Sequence, residues 1–202
     1  MTELVFIRHG ETDWNRQQRF QGQIDVPLNA NGLTQAQRLA RRLATESPAL
    51  MISSDLQRAQ QTAAPLAAAW ARQPLLMPGL REQSFGILEG LDVPTIQQQH
   101  PDLWRDWLIQ QADYTLPGGE STRQFHARVW QTVQELVATH EGQRLLVVTH
   151  GGVLDMLWHS ARGDALDGLR QCLIPNTGIN RLRWAGEALH IDAWGDATHL
   201  ED

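Results

Sequence analysis

The chain has 202 residues, with 17 Lys plus Arg against 23 Asp plus Glu and a formal charge of −6. At this length one domain is the default, and about 70% of the unfolded chain's surface can be buried, enough for a core without staples. A single cysteine excludes an internal disulfide and a thiolate zinc cluster, the acidic balance gives no general attraction to nucleic acid or an anionic membrane, and no apolar run approaches the roughly 20 residues of a membrane span. The N-terminus also lacks the charged and apolar regions of a signal peptide. The expectation is a soluble, cytoplasmic, one-domain protein spanning residues 1–202.

Strand-length apolar runs alternate with longer amphipathic stretches, the pattern of helices covering both faces of a mostly parallel sheet. Leu4-Val5-Phe6-Ile7 predicts the first strand, and Leu33, Ala36, Leu39, Ala40 and Leu43 predict a helix over 32–46. Leu50-Met51-Ile52 is the second strand. Ser53-Ser54-Asp55 follows it with good N-cap residues for a helix to about Trp70. Leu75-Leu76-Met77 is a third strand, ended by Pro78-Gly79. Over 82–119 the alternation breaks down and Gly, Pro, Gln and Trp become frequent; such a segment is an excursion with short helices of its own, of the kind that covers a site. A helix over 121–140, a buried strand over 145–148 and a helix over 152–161 restore the pattern. Residues 180–184 and 189–191 then predict a closing hairpin.

Two strand ends look alike: Phe6-Ile7-Arg8-His9-Gly10 and Val147-Val148-Thr149-His150-Gly151-Gly152. Parallel strands that feed crossover helices end on one rim, where ligands bind, and neighbouring strands would hold His9 and His150 roughly 5 Å apart. The glycines behind each histidine leave room for a substrate or for an unusual backbone angle. Arg58 lies in the first turn of a helix near the same rim, where the helix terminus favours anions; alternatively it pairs with Asp55 at i, i+3. Glu82 supplies a carboxylate, unless it pairs with Arg81. The other histidines, at 100, 126, 140, 159, 190 and 199, have no such placement and are expected to be mostly structural or surface residues. Two imidazoles, two guanidinium groups and a carboxylate on one rim point to phosphoryl transfer through a covalent histidine intermediate. The arginines would oppose a bound dication, and no His-x-x-x-His or His-Glu-x-x-His spacing occurs, so no metal is expected.

Arg8-His9-Gly10-Glu11-Thr12, with Trp14-Asn15, resembles the signature of the histidine phosphatase superfamily, which includes cofactor-dependent phosphoglycerate mutases and many phosphatases. The similarity continues through Phe20-Gln21-Gly22-Gln23-Ile24-Asp25-Val26-Pro27-Leu28, Ser53-Ser54-Asp55-Leu56-Gln57-Arg58-Ala59-Gln60-Gln61-Thr62-Ala63, Leu80-Arg81-Glu82, Phe85-Gly86, Glu89-Gly90, Pro117-Gly118-Gly119-Glu120-Ser121 and Val148-Thr149-His150-Gly151-Gly152, over nearly the whole chain. The resemblance implies an α/β fold, a three-layer α/β/α sandwich around a mostly parallel sheet. It implies that His9 is the phosphorylated nucleophile, that Arg8, Arg58 and His150 form the phosphate pocket, that Asn15 contacts the phosphoryl group and that Glu82 is the proton donor. Gln21, Gly22 and Gly151 fall in the same motif blocks and are expected at the substrate. Neither a metal nor an organic cofactor is implied for phosphatase activity.

Mutases of the family usually follow the acidic residue with Arg and Tyr and carry cations in a long inserted segment. Here Gln83-Ser84-Phe85 follows Glu82, and over 91–116 the only cation is Arg105, opposed by Asp92, Asp102, Asp106 and Asp113. A phosphomonoester hydrolase is therefore favoured over a phosphoglycerate mutase, with a catalytically silent binding protein third. Trp104 and Trp107, one helical turn apart, either pack the excursion onto the core or line a leaving-group pocket for an uncharged or aromatic moiety, with Trp14 and Phe20 on the other wall. The expected partner is a small phosphomonoester, not nucleic acid or membrane. α-Ribazole phosphate, sugar phosphates and phosphoglycerate derivatives all fit. No motif specifies an interface, and a homodimer stays open.

Overall fold

The computed structural model of the chain describes residues 1–109, 111–168 and 171–201. Its sheet contains strands β1 (Thr2–Arg8), β2 (Leu50–Ser53), β3 (Leu75–Leu76), β4 (Arg144–Thr149), β5 (Ile179–Ala185) and β6 (Ala188–Asp196), in the order β3-β2-β4-β1-β5-β6. β1, β2, β3 and β4 pair in parallel, and the β5-β6 hairpin closes the sheet antiparallel to β1. Seven α-helices accompany the strands among the described residues: α1 (Asp13–Arg16), α2 (Ala30–Arg42), α3 (Gln57–Trp70), α4 (Val93–Gln99), α5 (Pro101–Leu108), α6 (Thr122–Thr139) and α7 (Gly151–Arg162).

The strands alternate their side chains between two cores, as the pleat requires. Leu4, Phe6, Leu145 and Val147 pack with Phe125, Val129 and Val133 of α6 and Val153, Leu154 and Leu157 of α7. Val5, Ile7, Met51, Leu146 and Val148 face the other way, onto Leu39 and Ala40 of α2 and Ala59, Ala63 and Leu66 of α3. Both faces of β1 and β4 are thus buried, which is why these strands read as continuous apolar runs rather than alternating ones. The arrangement is the expected three-layer sandwich. No helix of the described residues is long and apolar enough to cross a membrane.

Helix ends are set partly at a distance. α6 begins as expected, with Ser121 and Gln124 forming a capping box. For α3 the Ser53-Ser54-Asp55 expectation fails: the N-cap is Leu56, with no side-chain cap of its own. The acceptor comes instead from a remote loop, Asp25 Oδ1 taking the Gln57 N–H at 2.6 Å. α1 gave no periodic signal because it is one turn long; Thr12 and Asn15 cap it reciprocally. β6 runs well beyond 189–191, and register shifts along its pairing with β5 obscure the two-residue period there.

The excursion, whose residue 110 lies outside the described residues, holds a 3-10 turn over 86–88 followed by α4 and α5. It has a small core of its own in Leu88, Ile96 and Leu116, packed against Phe20, Phe85, Leu103, Trp104 and Trp107.

Candidate active site

Register brings the two histidines together. Arg8 of β1 is the Cα partner of Thr149 of β4, so His9 and His150 leave adjacent strands at the same level. The His9 N–H adds one more ladder bond, to the Thr149 carbonyl at 2.8 Å. The ring centroids lie 5.2 Å apart, edge to face, and both residues are buried.

Each ring's tautomer follows from its partners. His9 Nδ1 lies 2.7 Å from the Gly10 carbonyl, which can only accept; Nδ1 therefore carries the proton and Nε2 keeps its lone pair. His150 Nδ1 accepts from Arg58 Nε at 3.3 Å, and its Nε2 donates to Ser54 Oγ at 2.8 Å. Burial pushes both imidazoles well below the usual histidine range, and the positive charges of Arg58 and Arg8 add to it.

Arg58 is the largest fully buried side chain. Besides His150 it donates to the carbonyls of Ile24 at 2.9 Å and Gly22 at 2.7 Å, so the 21–24 loop wraps its guanidinium. Burial draws it down to about 10, against support from the carboxylates of Glu82, Asp25 and Glu89, and it remains charged at neutral pH. The alternative pairings do not form. Asp55 makes a two-pronged ion pair with Arg81, at 2.8 and 2.6 Å, which leaves Arg58 and Glu82 to the site. Arg8 Nη1 donates to the Ile174 carbonyl at 2.6 Å.

Arg8, His9, Asn15, Gln21, Gly22, Arg58, Glu82 and Gly151 all line one cavity of about 280 Å³, with Trp14 and Phe20 in its wall. Asn15 Oδ1 accepts the Thr12 N–H at 3.0 Å, and Gln21 Oε1 lies 3.0 Å from the Thr12 hydroxyl. Gly22 has φ +50°, and a Cβ there would meet Glu89 Oε1 at 2.0 Å, so both its angle and its neighbour require glycine. The unusual backbone angle expected behind the histidines is not taken, since none of these glycines has a left-handed φ; Gly10 and Gly152 make room for protein atoms, a Cβ on Gly10 lying 2.7 Å from the Gly32 carbonyl oxygen and one on Gly152 lying 2.0 Å from Glu82 Oε1.

Glu82 is held at its carboxylate by the N–H groups of Gly152 at 3.0 Å and Gln83 at 2.9 Å. It stands between the first cavity and a larger one of about 370 Å³, lined by Phe20, Phe85, Trp107, Tyr114 and Phe125, among others. The two tryptophans part here. Trp107 lines the larger cavity, whereas Trp104 borders neither cavity and stacks on Trp107 at 5.4 Å, so its placement at the substrate is corrected to support behind Trp107. His159, expected to be merely structural, also lines the larger cavity.

Several residues that hold the site were given no role by the sequence. Thr62 accepts the Gly10 N–H at 2.9 Å, Asn176 donates to the His9 carbonyl at 2.9 Å, and the Thr177 N–H bonds the Arg8 carbonyl at 3.0 Å. Glu89 takes the N–H groups of Gln23 and Phe85. Arg19 adds a third arginine to the smaller cavity. Thr62 and Ser54 lie in the same motif block as Arg58, and Glu89 lies in another beside Gly90, so these stretches could have flagged them; Arg19, Asn176 and Thr177 lie in none.

With this geometry in place, the fold and the paired histidines define an α/β protein of the phosphoglycerate mutase-like type. A model of the histidine phosphatase superfamily (branch 1) matches residues 4–197, and the chain belongs to that superfamily. Phosphoglycerate mutase-like protein 4 of Arabidopsis thaliana is 38% identical, over 99% of this chain and 87% of its own length. The metal-independent phosphoserine phosphatase of the same plant is 36% identical, over 99% and 84%. Among solved structures, Bacillus stearothermophilus YhfR superposes with a TM-score of 0.93 at 32% identity, covering 100% of both chains. Family and relatives together support phosphatase activity.

Proposed function

We propose that the chain hydrolyses small phosphomonoesters by two displacements through a phosphohistidine at His9. The observation that carries this is the His9 Nδ1 bond to the Gly10 carbonyl, which fixes the imidazole with an unprotonated Nε2 in an arginine-lined cavity. Nε2 attacks phosphorus and the P–O bond to the leaving group breaks; Glu82 gives its proton to the departing oxygen. Glu82, now a carboxylate, takes a proton from water, whose oxygen attacks phosphorus and releases phosphate and free His9.

Charge on the transferring phosphoryl group is met by Arg8 and Arg58 of the cavity lining, and His150, which stands behind the lining, joins them by turning its Nε2–H from Ser54 Oγ to a phosphoryl oxygen. Asn15 contributes through its –NH2, because its carbonyl oxygen already accepts from Thr12. Gly151 opens α7, whose N-terminus has no side-chain cap, so its N–H is placed for an anion. A dication among these arginines would be repelled, and the mechanism uses neither a metal nor an organic cofactor.

The cavity beyond Glu82 receives the leaving group: its rings, Phe20, Phe85, Trp107 and Tyr114, suit an aromatic moiety, and the carboxylates of Glu120 and Asp155 in the same wall disfavour one that carries a second negative charge. Arg105 of the excursion is exposed and paired with Asp102 and Asp106, which speaks against a cover that retains a second phosphate. His9→Ala tests the reading: hydrolysis of 4-nitrophenyl phosphate should fall by about 10⁴-fold or more while inorganic phosphate still binds. Normal hydrolysis in that variant would sink the mechanism.

A further inference from the structure

Arg128 lies on α6 and lines neither cavity, yet its guanidinium is fully used on the segment that carries Glu82. Nε and Nη2 form a fork with Glu120, both at 2.8 Å. Nη1 donates to the carbonyls of Gly79 and Arg81, each at 3.0 Å, and Nη2 also reaches the Glu82 carbonyl at 3.2 Å. All five N–H groups of the fork thus find acceptors. Glu120 completes a frame on the other side of the same segment: its Oε2 takes the Ser84 N–H at 3.0 Å, its own N–H bonds the Ser84 carbonyl at 2.9 Å, and its carbonyl accepts from Gln83 Nε2 at 3.0 Å. Burial raises the Glu120 carboxyl, but hydrogen bonds from Arg128 and Ser84 outweigh it and keep the group ionised, so the fork is charge-assisted.

We infer that Arg128, locked by Glu120, is a positioning residue for Glu82: it fixes the 79–82 main chain so that the carboxylate stands between the two cavities. This inference rests on the reading of Glu82 as the proton donor. Lysine cannot replace the arginine, because an ammonium has three donors and no planar fork to span a carboxylate and three carbonyls.

A proton donor matters most when the departing oxygen is strongly basic. The test is therefore kcat/KM, which reports phosphorylation of His9, for two substrates of similar body: benzyl phosphate, which leaves as an alkoxide unless protonated, and 4-nitrophenyl phosphate, which leaves as a stable phenolate. Arg128→Lys should lose roughly 100-fold on benzyl phosphate and little on 4-nitrophenyl phosphate, with the same ranking in Glu82→Gln and no further loss when the two are combined. Equal losses on both substrates, no loss on either, or additive losses in the double variant would overturn the positioning role. Should Glu82→Gln itself affect both substrates equally, the proton-donor reading fails instead. If Arg128→Lys does not fold, Glu120→Gln carries the same comparison, since any change in how the larger cavity takes an aromatic body cancels between the two substrates. Equal losses in that variant would likewise overturn the inference.

Discussion

The two adjoining cavities are made by different parts of the chain and by different forces. The smaller one sits on the strand ends of a parallel sheet, and main-chain and buried polar bonds fix its reactive groups: His9 on Gly10, Arg58 on Gly22 and Ile24, Glu82 on Gly152. The larger one is walled mainly by the excursion and by α6 and α7, and ring packing shapes it, with Phe20 against Phe85 at 5.1 Å and against Trp107 at 5.2 Å. Positions in the first are held to fractions of an ångström by hydrogen-bond geometry, whereas ring contacts tolerate repacking. The difference implies that rate and selectivity are separable: changes at the phosphate-holding groups of the smaller cavity, Arg8, His9 and Arg58, should slow every substrate alike, a change at Glu82 should follow the basicity of the leaving oxygen, and changes in the larger cavity should reorder substrates by the shape of the leaving group.

The largest expected effect that tests this separation comes from Arg58→Met. It should lower kcat/KM by about 10³-fold on aryl and alkyl phosphates alike. It should also cost about 2–4 kcal/mol of stability, because the Gly22 and Ile24 carbonyls lose their donor in a buried setting. Kinetics on a substrate panel and denaturant unfolding check both parts, and a strongly substrate-dependent loss would break the comparison.

A smaller effect is expected in the aromatic wall. Trp107→Ala should reduce the preference for aryl over glycerol phosphate by about tenfold. Trp104→Ala, one layer back, should leave the ranking alone and cost about 1–3 kcal/mol of stability. If the two variants shift selectivity equally, the layers are not distinct.

The smallest effect is on pH dependence. Burial, then Arg58 and Arg8, hold His9 low, so Nε2 stays unprotonated as pH falls. The acid limb of kcat/KM due to His9 should lie below the ordinary histidine value of about 6.5. Stability has the matching sign. A histidine whose folded value is depressed favours the folded state above its unfolded value and loses that contribution as pH falls. For His9 and His150 the window opens near pH 6.5 and extends downward. Tm measured from pH 7.5 to 5 should fall; a flat profile over that range would contradict neutral burial.

Sequence made the sheet and the rim legible for one reason: both faces of β1 and β4 are buried, so apolar runs mark the strands and the polar residues just past them mark the rim. The pairing of His9 with His150 followed from that placement, with Arg58 close behind through its helix. The proton donor's surroundings were harder to see. Glu82 depends on Gly152, 70 positions away, and on Arg128, 46 away, and such contacts leave no local period. Likewise Asp25 caps α3 across 32 positions, and Asn176 and Thr177 hold Arg8 and His9 across more than 160. The excursion announced itself by composition, but which tryptophan reaches the cavity depends on how α5 is rolled, and spacing three residues apart is silent on that.

The central claim is a covalent intermediate on His9. Its most direct test is rapid quenching into alkali during turnover of a labelled aryl phosphate, followed by peptide mapping, since a phosphorylated imidazole survives base and is lost in acid. The account predicts an acid-labile, alkali-stable phosphoryl group on the peptide containing His9, formed at least as fast as turnover. Turnover with no such adduct, or an adduct on another residue, would contradict it.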